Sequence, residues 1–132
     1  MVRCLVLSRD KIKVSPLSKT WIFDIDGTIV KHNGYKIDGH DTLLDGAKEF
    51  FSNIPDTDMV ILLTARTTNF KSMTEGFLKA NGIRFDHIIY DSPYGERIIV
   101  NDMKPSGLKT SVAVNTKRDV FMETEFEVDE NL

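Results

Sequence analysis

A chain of 132 residues with 41% hydrophobic and 28% charged side chains has enough apolar material to bury one domain's core. Its net charge of −3 excludes a protein that grips nucleic acid without sequence preference, because that task needs a basic surface. No run approaches the ~18 apolar residues of a membrane helix, and the single Cys4 has no partner for an internal disulfide, so a reducing cytoplasm is the expected location.

In chain order, Val2–Leu7 reads as a short edge strand, and its Arg3 and brevity argue against a signal-peptide core. Ser8–Lys19 is basic, contains Pro16 and reads as a loop. Trp21–Asp26 is a buried strand stopped by Gly27. Ile29–Asp41 reads as an irregular loop with a hairpin at Asn33-Gly34. Asp45–Asn53 is a short helix with Asp45 at its start and Pro55 beyond its end. Met59–Leu63 is a second core strand and runs into Thr64-Ala65-Arg66. From Thr67, Phe70, Met73, Phe77 and Leu78 recur at helical spacing and predict a core-facing helix that Gly82 stops. Phe85–Tyr90, Ile98–Val100 and Ser111–Val114 are further strand candidates, and the tail from Phe121 alternates apolar and acidic residues like an edge strand. Strands alternating with helices predict an α/β fold, a three-layer α/β/α sandwich around a mostly parallel sheet. Residues 1–132 are read as a single domain, with its core over 20–115 and an acidic tail over 121–132.

The chemistry gathers at strand ends. Asp24 and Asp26 lie two apart, and in extended backbone such residues share a face. Two carboxylates a few ångströms apart repel by about 4 kcal/mol near a protein surface. A proton, a cation or a turn that aims one acid away offsets this. A hard cation such as Mg²⁺ suits an all-oxygen site, and a carboxylate is also a nucleophile in aspartyl-phosphate enzymes. On spacing alone an Asp-rich turn is the plainer reading. His32, His40 and His87 are scattered without zinc-ligand spacing. Thr64 ends one strand candidate and Asp102 another, and parallel strands deliver their carboxyl ends to one rim.

Phe23-Asp24-Ile25-Asp26-Gly27-Thr28 resembles the first signature motif of the haloacid dehalogenase phosphatases. Leu62-Leu63-Thr64-Ala65-Arg66 is similar to the second motif, and Ile98-Ile99-Val100-Asn101-Asp102 to the fourth. The resemblance implies a Rossmann-like sheet and a Mg²⁺-dependent phosphomonoesterase. In that family Asp24 would attack phosphorus and Asp26 would serve as general acid/base. Asp24, Asp102 and the Asp26 carbonyl would hold Mg²⁺, and Thr64 would bind phosphate. The neutralising cation would be Arg97, with Lys104 as second choice. Arg66 would steer substrate or pair with an acid. The fourth motif departs from the family's paired acids, with Asn101 before Asp102 and Met103-Lys104-Pro105 after it. The chain between the motifs leaves no room for a large cap domain. Capless members act on macromolecules or close their sites with a neighbouring subunit, so the expected partners are a small phosphorylated substrate, a sugar phosphate or polysaccharide precursor in the narrower form, and a second copy completing an open site. No nucleic acid or membrane is expected. The competing readings are a binding or regulatory protein with little turnover and a receiver-like phosphoacceptor.

Overall fold

The computed structural model describes residues 10–132. The strand expected over residues 2–7, with Cys4, lies outside them. The elements in chain order are β1 (Lys11–Val14), β2 (Thr20–Asp24), α1 (Gly34–Ile37), α2 (Ala47–Ser52), β3 (Met59–Leu63), a 3-10 turn (Thr68–Phe70), α3 (Lys71–Ala80), β4 (His87–Ile89) and β5 (Glu125–Val128). The fold is α/β with small parallel sheets. By its contacts the chain divides into two compact units. A core unit comprises Ser18–Glu96 and Thr116–Met122, and, among the described residues, a ribbon unit comprises 10–17, Arg97–Asn115 and Glu123–Leu132.

In the core unit β2, β3 and β4 form a parallel sheet in that order. Parallel neighbours need a crossover. Here α1 and α2 lie between β2 and β3, and the 3-10 turn and α3 between β3 and β4. Trp21 faces Val60 and Phe23 faces Leu62 in the ladder, and Val60 and Leu62 are fully buried. The core continues past the end of β2 through Ile25, Ile29 and Val30, all 0% exposed. Apolar anchors on both sides of Asp26 thus fix the turn that carries it. Phe121 returns from the far end of the chain to stack 6.3 Å from Phe23, and Phe50 and Phe51 close an aromatic cluster around it. Val60 also receives a side-chain bond from outside the sheet, its N–H donating to Asp86 Oδ2 at 2.7 Å.

Several local readings need correction. The hairpin expected at Asn33-Gly34 is instead the start of α1: Asn33 takes a left-handed φ of 54° before a single helical turn. Asn tolerates that conformation in either setting, so the dipeptide does not discriminate. In α2 the residue before the first turn is Gly46, at φ 92°, rather than Asp45, and no side chain caps the helix. The helix expected from Thr67 begins with a 3-10 turn, and its buried line runs through Thr74 and Leu78, four residues apart. Met73 lies beside that line and is 39% exposed, so the predicted Met/Phe stripe is only partly core. Gly82 stops the helix as expected, at φ 75°, with its N–H donating to Lys79.

The ribbon unit overturns three readings. Lys11–Val14, expected as loop, is a strand paired in parallel with β5. Ile98–Val100 and Ser111–Val114, expected as strands, have no regular structure, and Ile98 and Val100 are 84% and 90% exposed. Their composition suits a strand, but within their unit no neighbouring backbone pairs with them.

Candidate functional site

Asp24 closes β2 and stands in register with Leu63, which in turn stands opposite Ile89. The residues just beyond these three therefore share one rim of the core sheet. Thr28 Oγ1 donates to Asp24 Oδ2 at 3.0 Å, across a turn in which the Ile29 N–H donates to Ile25 and the Gly27 N–H to Val30. Gly27 has φ +81°, a conformation that favours glycine, and a Cβ there would sit tightly at 3.3 Å from Arg118 Cγ and in ordinary contact at 3.6 Å from His32 Cβ. Asp119 ties the returning segment to the same turn: its N–H donates to the Gly27 carbonyl, and its Oδ1 accepts the His32 N–H at 2.7 Å.

Beyond β3, Thr64 is 1% exposed. Its Oγ1 accepts the Arg66 N–H at 3.0 Å, and its own N–H donates to Ile89 at 2.9 Å. A hydroxyl also donates, and among the described residues the Thr64 O–H has no acceptor. A buried donor left over in this way is the kind of group that a bound oxygen atom satisfies. The end of β4 is laced to the same place, with the Asp91 N–H on the Arg66 carbonyl at 2.8 Å and the Ser92 N–H on the Thr64 carbonyl at 3.0 Å. Asp91 holds a left-handed φ of 61° to make that turn.

Arg66 is the centre of the arrangement. Its Nε and Nη2 donate to Asp26 Oδ2 and Oδ1, both at 2.9 Å. Its Nη1 and Nη2 donate to Asp41 Oδ2 and Oδ1 at 3.1 and 2.7 Å, and Nη1 also reaches Thr74 Oγ1 at 2.9 Å. A guanidinium has five N–H donors, and here all are spent inside the protein. Tyr35 of α1 covers the guanidinium, with Cζ 4.0 Å from the ring centroid, and Phe70 meets Tyr35 edge-on at 5.0 Å. Burial disfavours the Arg66 charge, but the hydrogen bonds and charges of Asp26 and Asp41 outweigh that penalty, and its pKa is raised above the ordinary arginine value. Next to this cluster Tyr90 donates to Glu75 Oε2 at 2.8 Å. Burial, reinforced by that acceptor and its charge, raises the Tyr90 pKa.

The core unit thus carries Asp24, Asp26, Thr64 and Arg66. Arg97, Asp102 and Lys104 belong to the ribbon unit, in the stretch without a strand. There the Asp102 carbonyl accepts from Thr110 Oγ1 at 2.7 Å, and the Lys104 N–H donates to Leu108 at 2.9 Å. Sequence reasoning did not single out Asp41, Tyr35 or Thr74. Asp41 lies in a loop without periodic pattern, 25 residues from its partner, and no local signal marks it.

The donors near Asp24 are oxygens, the type a hard divalent ion takes. Among the described residues, however, no group of three or more His, Cys, Asp or Glu side chains is arranged to hold a metal ion. No described helix is long and apolar enough to cross a membrane. Compared with known proteins, the chain matches no family model, no curated protein and no solved structure.

Proposed function

We propose that this protein is a phosphatase of the haloacid dehalogenase type that hydrolyses a small phosphomonoester, a sugar phosphate or polysaccharide precursor in the narrower form, through an aspartyl phosphate on Asp24. The observation that carries the reading is the pairing of the Asp24 strand end with a neighbouring strand end that presents the buried, unspent Thr64 hydroxyl. A nucleophile and an anion donor on one rim are what phosphoryl transfer needs. The finer fold reading, a three-layer sandwich around a Rossmann-like sheet without a large cap, belongs to the same proposal. The parallel β2-β3-β4 ladder with helices in its crossovers supports it. A cytoplasmic location rests on the lone Cys4.

In the proposed reaction an Asp24 oxygen attacks phosphorus as the substrate's ester oxygen departs. Asp26 gives that oxygen its proton, then takes one from the water that attacks the phosphoenzyme, which releases phosphate and restores Asp24. Thr64 donates to a phosphoryl oxygen. Mg²⁺, held by the Asp24 carboxylate and the Asp26 carbonyl, would supply charge screening between two anions. Mg²⁺ keeps several waters and needs only one or two carboxylates besides the substrate's phosphate, which suits a site poor in acidic clusters. Arg66 has no donor left for substrate, so its place in this scheme is to orient Asp26.

One observation favours the competing reading of a binding protein with little turnover. Both Asp26 oxygens already accept N–H bonds from Arg66, which holds the carboxylate in a structural ion pair instead of leaving it free to turn toward a substrate. Phosphate release from an aryl phosphate with Mg²⁺, followed by a phosphometabolite panel, separates the two. Activity that Asp24→Asn lowers by at least about 10³-fold is expected. Full activity in Asp24→Asn, or none across the panel, rejects the enzyme.

A further inference from the structure

We propose that Asp41 is a positioning residue for the Asp26 carboxylate and acts through Arg66. The catalytic consequence rests on the phosphatase reading above, while the structural one rests on geometry alone.

Arg66 presents two edges, and each is filled by a carboxylate. Asp26 takes the Nε/Nη2 edge and Asp41 the Nη1/Nη2 edge. The two acids are not equivalent. The Asp41 side chain is 2% exposed and that of Asp26 is 17% exposed, with the Arg66 side chain between them at 1%. Asp41 is therefore the buried anchor, and Asp26 is the end that reaches toward solvent. An arginine is long and flexible, and aiming one edge at a target requires that its remaining freedom be removed. Tyr35 fixes the plane of the guanidinium, Asp41 fixes its direction within that plane, and Thr74 occupies the remaining Nη1 donor. With these in place, Nε and Nη2 can point only where Asp26 stands. Asp41 itself cannot leave, because a buried carboxylate without its cation is strongly disfavoured. This is the logic by which partners behind the reacting groups hold a site to the tolerance that chemistry needs.

The test is Asp41→Asn, which keeps the shape but removes the charge and one of the two acceptors facing Arg66. With an aryl phosphate and Mg²⁺, a ten- to hundredfold fall in kcat is expected, with KM within about twofold, the range typical of groups that orient a catalytic residue. The decisive comparison is the same substitution in an Asp26→Asn background, read as single-turnover rates. A positioning residue has nothing left to position there, so no further loss is expected. An equal loss in both backgrounds, or none in either, overturns the proposal. If Asp41→Asn does not fold, Thr74→Val removes another anchor of Arg66. It should lower kcat in the same direction by a smaller factor, again only when Asp26 is present. A crystal structure of either variant gives a readout independent of activity, in which the Arg66–Asp26 fork should be opened. A fork kept at 2.9 Å on both oxygens rejects the inference. A wild-type protein that cleaves no phosphoester, with a fork that opens in the variant, rejects the phosphatase reading and leaves the positioning role of Asp41 standing.

Discussion

In the core unit, β2 and β3 set Trp21 and Phe23 against Val60 and Leu62, and most of what they hold together is hidden from water. In the ribbon unit, β1 and β5 pair in the same parallel sense, but Lys11 faces Glu125 and Lys13 faces Glu127 on one side, with Ile12 against Phe126 and Val14 against Val128 on the other. Among the described residues, none of the hydrophobic side chains that form the buried core belongs to the ribbon unit. The same kind of ladder thus removes apolar area from water in one place and stands in half-exposed surroundings, with opposite charges in register, in the other. Burial is worth about 25 cal/mol per Å² of apolar surface, whereas an exposed ion pair is worth about 0–1 kcal/mol. The difference predicts where substitutions hurt.

The largest effect should come from charge in the core unit. Arg66→Leu leaves Asp41 buried and unpaired, and urea denaturation should show a loss of about 3–5 kcal/mol. Adding Asp41→Asn should return part of that loss, because the orphaned charge is gone. An Arg66→Leu protein as stable as wild type would mean that the buried network is not what holds the loops together. Next comes packing. Leu62→Ala should cost about 2–5 kcal/mol, while Ile12→Ala, in half-buried surroundings, should cost less than about 1 kcal/mol. Equal costs would erase the distinction between the two ladders.

This contrast also explains what could be read from sequence. Met59–Leu63 is legible because an unbroken apolar run is visible without its partner, although only the Val60 and Leu62 face is fully buried and Met59 is 43% exposed. Asp24 and Asp26 are legible because both lie in one short string. β1 is only four residues long, and Lys-Ile-Lys-Val means little until Glu-Phe-Glu-Val at the other end of the chain is laid beside it. Ile98–Val100 fails for the converse reason: its residues favour a strand, but pairing is decided by a neighbour, which local pattern does not supply. Asp41 was hidden for the same reason as β1, since its meaning comes from Arg66 across the fold.

A smaller effect should follow pH. In the folded core unit burial and Glu75 raise the Tyr90 pKa, so the native state holds that proton more tightly than the unfolded chain. Below the unfolded value of about 10 the contribution is complete. As pH rises past it, the unfolded chain loses its proton first and stability falls. Denaturation between pH 9 and about 11.5 should show a steeper decline for wild type than for Tyr90→Phe. Parallel declines would remove Tyr90 as the cause.

The smallest effect belongs to the ribbon, and it is the most selective. Lys13→Glu sets a carboxylate opposite Glu127, and like charges directly across a ladder destabilise by about 0.2–1 kcal/mol. Too small for a global melt, the change is suited to amide hydrogen exchange of Lys11–Val14, which should quicken severalfold. Glu127→Lys on the same chain should slow it again by restoring an opposite pair in the same register. Burial and backbone propensity are barely altered by this swap, so recovery isolates the charge term. Ionic strength supplies the second arm: at 1 M salt the screening length shrinks to about 3 Å, and the Lys13→Glu penalty should largely vanish. A penalty that persists at high salt, or a double variant that fails to recover, would mean that the strand tolerates Lys13 for its long aliphatic stem rather than for its charge. The ribbon would then be held, like the core sheet, by apolar contact.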